Sequence, residues 1–115
     1  MTFPHNYLVI QELLFWIESN IQKPLFIEDV AKHAGYSKWY LQRLFSKYTG
    51  RSLANYIKRR KMELAANDLC CTSEKIIDIS IKYGFDSQQS FTRAFRKIYN
   101  QSPAVYRKRM SEHKK

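Results

Sequence analysis

The chain has 115 residues, 44% hydrophobic and 15% aromatic, enough apolar matter for the core of one small domain or two very small ones and too much for a disordered chain. Twenty Lys and Arg against ten Asp and Glu leave a formal charge of +10, which points to an anionic partner. Three Gly and three Pro argue against a many-turned β fold, and no apolar run approaches the roughly 18 residues of a membrane span. The start, Met1 to Asn6, lacks the charged and apolar regions of a signal peptide, so a cytoplasmic protein is expected.

Apolar residues recur at helical spacing along almost the whole chain. Val9, Ile10, Leu13, Leu14, Ile17 and Ile21 predict a first helix over residues 7–20, ended by Lys23-Pro24. Ile27, Val30, Ala31 and Ala34 predict a short second helix, stopped at Gly35 in the left-handed region; Phe26 and Ile27 are poor caps for its start. Ser37 caps a third helix to about Tyr48, closed by Thr49-Gly50, and Ser52 caps a long fourth through Tyr56, Ile57, Leu64 and Leu69. Thr72 or Ser73 is expected to cap a fifth helix carrying Ile76, Ile77, Ile79 and Ile81 and ending at Gly84. Asp86 or Ser87 caps a sixth, through Phe91, Ala94, Phe95 and Ile98. Ser102-Pro103, a cap followed by Pro at the first helical position, opens a short last helix.

The chain repeats itself. Ile27 to Tyr36 resembles Ile76 to Phe85 at an offset of 49 residues. Past the glycine the offset becomes 50: Leu41, Arg43, Phe45 and Lys47 match Phe91, Arg93, Phe95 and Lys97, then Ser52, Tyr56 and Arg59 match Ser102, Tyr106 and Arg109. Each copy is a short helix, a Gly-centred turn and a longer helix, which is a helix-turn-helix plan. The expected fold is all-α: seven helices forming two helix-turn-helix subdomains joined by a long central helix. The expected boundaries are 7–50 for the first subdomain, 51–70 for the linker helix, 71–110 for the second subdomain and 111–115 for a basic tail.

Charge follows the repeat. No acid lies between Asp29 and Glu63, or between Asp86 and Glu112, and these windows hold 15 of the 20 basic residues. Two acid-free basic footprints fit two contacts with a polyanion better than two merely solvated faces. In the third helix Leu41, Leu44, Phe45 and Tyr48 form the inward stripe, which turns Lys38, Trp39, Gln42, Arg43 and Ser46 outward. In the sixth, Phe91, Ala94, Phe95 and Ile98 leave Gln88, Gln89, Thr92, Arg93 and Arg96 outside. Arg forks onto guanine O6 and N7, and Gln pairs with adenine N6 and N7, so these faces carry the groups that read base edges. Trp39 would ordinarily be core, but its phase lies off the buried stripe. Lys38, Ser46, Thr92, Arg96 and Lys97 flank the tips and suit phosphates and sugars. The fourth helix, about 26 Å long at ~1.5 Å per residue, would set two readers into adjacent turns of a duplex, with Lys58, Arg59, Arg60 and Lys61 over the intervening phosphates or simply solvated.

Gly35-Tyr-Ser-Lys-Trp-Tyr-Leu-Gln-Arg-Leu-Phe45, Lys82-Tyr-Gly-Phe-Asp-Ser-Gln-Gln-Ser-Phe-Thr-Arg-Ala-Phe95 and Ser102-Pro103-x-x-Tyr106-Arg107 resemble the DNA-binding domain of AraC/XylS-type bacterial transcription activators, within them the small stand-alone MarA/SoxS/Rob and RamA-like group. The resemblance spans residues 7–109. It implies base contacts from Trp39, Gln42 and Arg43 in one half-site and from Gln88, Gln89, Ser90 and Arg93 in the other. Ser90 rests on the resemblance alone, since spacing puts it at the margin of the exposed face. Tyr40 and Ser90 stand where related proteins often have His and Thr, which bears on fine sequence preference. The resemblance further implies a monomer on asymmetric double-stranded promoter DNA, bacterial RNA polymerase as partner, and control of stress, efflux or antibiotic-tolerance genes. With no length left for a small-molecule effector domain, it implies control by the amount of protein made.

Other chemistry is thinly represented. His5, His33 and His113 are scattered and offer no metal-ligand spacing, and no cofactor is implied. No paired carboxylates, phosphate-binding Gly loop or catalytic triad order stands out, so the chain does not read as an enzyme. The adjacent Cys70 and Cys71 read first as small buried hydrophobes and second as a redox switch. A non-specific nucleic-acid coat and a helical adaptor for an acidic protein are the rival readings of the charge.

Overall fold

The computed structural model describes residues 5–23 and 25–113. Among them lie seven α-helices and no strand: α1 (His5–Ser19), α2 (Ile27–Ala34), α3 (Lys38–Thr49), α4 (Leu53–Cys71), α5 (Ile76–Lys82), α6 (Gln88–Tyr99) and α7 (Pro103–His113). The chain forms two compact units, and the division falls inside α4 between Lys58 and Arg59. In the first unit α1, α2 and α3 pack on one another. Ile10, Leu13 and Ile17 of α1, Val30 and Ala31 of α2, and Leu41, Leu44 and Phe45 of α3 are buried, as are Leu53 and Ile57 in the first half of α4. In the second unit Met62, Ala65, Ala66 and Leu69 of α4 pack with Ile79, Tyr83, Phe91, Ala94 and Phe95. Phe95 also stacks on Tyr99 at 4.6 Å and meets Tyr106 of α7 edge-on at 5.4 Å, so an aromatic cluster seats α7 on α6.

Local chemistry sets most helix ends. Ser37 and Ser87 cap α3 and α6, accepting the backbone N–H of Tyr40 and Ser90. Ser52 and Ser102 do the same for α4 and α7, accepting from Asn55 and Val105. Gly35, with φ 78°, closes α2 in the left-handed conformation that glycine adopts without steric cost. At the start of α2, Phe26 supplies no side-chain cap; the Asp29 carboxylate accepts the Phe26 N–H at 3.3 Å instead.

One expected cap differs. Neither Thr72 nor Ser73 caps α5, which begins after Lys75 with no side-chain cap. α4 runs to Cys71, so the Thr72 hydroxyl lies at its end, donating to the Asp68 carbonyl at 2.7 Å and accepting the Glu74 N–H at 3.2 Å. α1 ends at Ser19, where the Ser19 hydroxyl and the Asn20 amide donate to the carbonyls of Phe15 and Trp16. The proline expected to stop it lies outside the described residues, as do the start of the chain and the last two lysines of the basic tail. Cys71 is exposed and Cys70 only half-buried, so the pair is not the buried hydrophobe expected; helix positions one apart point to different faces.

Candidate nucleic-acid interface

The two candidate reading helices are built alike. Residues 41–50 and 91–100 follow the same order of buried, half-buried and exposed positions throughout. Leu41, Leu44 and Phe45 in α3, and Phe91, Ala94 and Phe95 in α6, hold one face of each helix down. The opposite faces present Trp39, which is 75% exposed, with Lys38, Arg43 and Ser46, and Gln88, Gln89, Arg93, Arg96 and Lys97. Gln42, Ser90 and Thr92 are half-buried at the edges of these faces. Lys58 and Arg59 are exposed on α4. The exposure of Trp39 removes it from the core, as its helical phase required.

Several of these groups already have contacts within the protein. Lys38 pairs with Glu28 at 3.1 Å across the turn between α2 and α3. The Glu28 carboxyl sits below its ordinary pKa, chiefly through backbone hydrogen bonding at the start of α2 and then through Lys38. The Ser46 hydroxyl donates to the Arg51 carbonyl at 3.3 Å. The Ser90 hydroxyl accepts from Ser87 at 3.1 Å, which ties it to the cap of α6. Among the described residues no carboxylate lies within ion-pair reach of Arg43 or Arg93, so both guanidinium groups stay available for an external partner.

Other basic residues are committed elsewhere. Lys61, expected over phosphates, is only 9% exposed and donates Nζ to the Tyr83 carbonyl at 3.1 Å. Burial lowers its pKa, because desolvation disfavours the ammonium form. Arg107 donates Nε to the Leu69 carbonyl at 3.0 Å and Nη2 to the Thr72 carbonyl at 3.3 Å, closing the end of α4. Tyr83 donates its hydroxyl to Asp68 Oδ2 at 2.7 Å, and Lys82 bridges Asp68 and Glu74, each at 2.9 Å. Desolvation opposes the Lys82 ammonium, but hydrogen bonds to Glu74 and Asp68 outweigh it and hold its pKa above the ordinary value. Reading by helical face missed this network. Its partners lie 14 to 22 residues apart in the chain, apart from the nearer Glu74.

No described helix is long and apolar enough to cross a membrane. Among the described residues no group of three His, Cys, Asp or Glu is placed to hold a metal ion.

A helix-turn-helix domain model matches residues 30–109. The transposon Tn10 TetD protein of Escherichia coli is 51% identical over 100 residues, covering 87% of this chain and 72% of that protein. The regulatory protein SoxS of Escherichia coli K12 is 46% identical over 102 residues, covering 89% of this chain and 95% of SoxS. Against the longer right origin-binding protein of the same strain, 47% identical, the chain spans 35% of the relative's length. A crystal structure of an AraC-type DNA-binding-domain regulator from Chromobacterium violaceum matches with a TM-score of 0.81 at 30% identity, covering 90% of this chain and 93% of that one.

Proposed function

This chain belongs to the AraC-type helix-turn-helix proteins, DNA-binding transcription regulators and not enzymes, and from that premise we propose that it activates transcription by reading double-stranded promoter DNA through α3 and α6. Trp39, Gln42 and Arg43 contact bases of one half-site; Gln88, Gln89, Ser90 and Arg93 contact those of the other. Lys38, Ser46, Lys58, Arg59, Thr92, Arg96 and Lys97 hold phosphates and sugars, which position the protein without reading sequence. Lys38 and Ser90 exchange an internal contact for the DNA contact. The protein acts as a monomer on an asymmetric site, because one chain carries both readers. It works in the cytoplasm, at the nucleoid. It recruits bacterial RNA polymerase at genes for stress response, efflux or antibiotic tolerance; the resemblance of its motifs to the MarA/SoxS/Rob group supports this part of the reading.

One observation carries the DNA-reading assignment. Each reading helix carries an exposed Arg at matched positions, Arg43 and Arg93, together with Gln on the same helix, half-buried Gln42 in α3 and exposed Gln88 and Gln89 in α6, and neither Arg has an acid partner among the described residues. A charge-only coat would need the arginines but not the glutamines. Selection from a random duplex library gives the test. A consensus without a palindrome, protected over about two helical turns in footprinting, is the expected result. Arg93→Ala should weaken binding to the selected site by about 1–3 kcal/mol and relax preference at one position. Equal weakening on selected and random duplexes would contradict base reading.

A further inference from the structure

We propose that Lys61 and Asp68 are positioning residues for the second reading helix, acting together on Tyr83. Tyr83 closes α5 and immediately precedes Gly84, whose φ of 83° turns the chain toward α6. The last carbonyls of a helix have no partner inside it. Lys61 supplies that partner for the Tyr83 carbonyl, and Asp68 takes the Tyr83 hydroxyl. Lys61 and Asp68 stand seven residues apart, two turns along one face of α4. Tyr83 is therefore held at its backbone end and at its side-chain end by a single rigid element, while the residue as a whole is 1% exposed. Lys82 and Glu74 complete the charge balance around Asp68. A residue gripped at two points cannot swing, so the departure of α6 from the turn is set by α4.

Among the described residues the first reader shows no such clamp. In the repeat, Ala34 stands where Tyr83 stands, since Gly35 matches Gly84, and alanine has no hydroxyl to hold. Its turn is tied instead by the exposed Lys38–Glu28 pair. Exposed pairs are screened by water and salt and hold geometry weakly. The clamp is thus a device of the second copy, and loss of it should be felt in one half-site.

The inference rests on the reading of α6 as a base reader, and the experiment separates the two. Binding of the full chain is compared on its selected duplex, on a duplex altered in the first half-site and on one altered in the second. Wild type should lose affinity on both altered duplexes. Lys61→Met, Asp68→Asn and Tyr83→Phe should retain the full first-half penalty and shrink the second-half penalty about tenfold, the worth of one misaligned bidentate contact. Tyr83→Phe removes a single oxygen and decides the matter if the other two variants fail to fold by thermal melting. Folded variants that keep the whole second-half penalty, or that lose both penalties alike, would overturn the clamp. Wild type showing no second-half penalty would overturn the base-reading assignment itself.

Discussion

Gly50 and Asn100 end α3 and α6 in the same left-handed conformation, with φ of 73° and 58°, and each donates its N–H at 2.9 Å to the carbonyl four residues back. Two residue types thus perform one task at matched positions of the repeat. No atom lies within 4 Å of a Cβ added at Gly50, so a substitution there is resisted by backbone conformation alone. Gly50→Ala should cost about 1–2 kcal/mol, and Gly50→Asn less, because Asn tolerates this region. Urea unfolding should show a lower midpoint at unchanged slope.

The caps of the two readers make a second prediction. Ser87→Ala should lower stability by about 1 kcal/mol, since the Ser90 N–H loses its acceptor. Ser87→Asp should restore that stability, because Asp caps as well as Ser and its charge suits a helix N-terminus. Placed beside Gln88 and Gln89, the same carboxylate should repel phosphates and weaken DNA binding. Thermal melting and DNA titration on the two variants should therefore move in different directions.

Trp39 separates contact from packing in a similar way. At 75% exposure it contributes little to the core, so Trp39→Ala should change unfolding free energy by less than about 0.5 kcal/mol. Affinity for the selected duplex should nevertheless drop. A large loss of stability would show that the ring packs against the protein in solution.

Phe95 gives the opposite case. It is fully buried, and its ring meets Phe91, Tyr99 and Tyr106. Phe95→Ala should cost about 3–5 kcal/mol, a large share of the roughly 5–15 kcal/mol typical of a folded domain. Calorimetry should show a markedly lower transition, whereas Arg93→Ala on the outer face of α6 should leave it unmoved.

Alkaline pH should loosen the protein. Burial raises the pKa of Tyr83, Tyr99 and Tyr106 above the ordinary tyrosine value. The folded state therefore holds these protons more tightly than the unfolded chain. The stability this represents is present below about pH 10 and is lost as pH rises through the folded values. Lys61, with its lowered pKa, works the other way, since losing its proton relieves a burial cost. That gain is complete once pH reaches the ordinary lysine value of about 10.4, so above it stability should fall as the tyrosines titrate, and Tyr99→Phe should flatten that fall in a pH series of urea melts.

The repeat, the buried stripes of α3 and α6 apart from half-buried Tyr48 and Ile98, the serine caps of α3, α4 and α7, and the outward placing of Trp39, Arg43 and Arg93 were all legible from the order of residues, while the cap of α6 was narrowed to Asp86 or Ser87. Each depends on neighbours three or four positions away, which a single helix brings together whatever surrounds it. Lys61 was half-legible: four consecutive positions sweep about 300° of a helix, so one member of the Lys58–Lys61 run had to turn inward. Lys61 lies four residues from both Ile57 and Ala65, on the apolar side. Its acceptor was not legible, nor was the commitment of Arg107 to the end of α4, the bridge from Lys82 to Asp68 and Glu74, or the employment of Thr72 in closing α4. Local spacing tells which face of a helix is turned inward, because backbone geometry alone decides it. Which polar group waits opposite depends on how elements distant in the chain pack together, and tertiary structure alone supplied that.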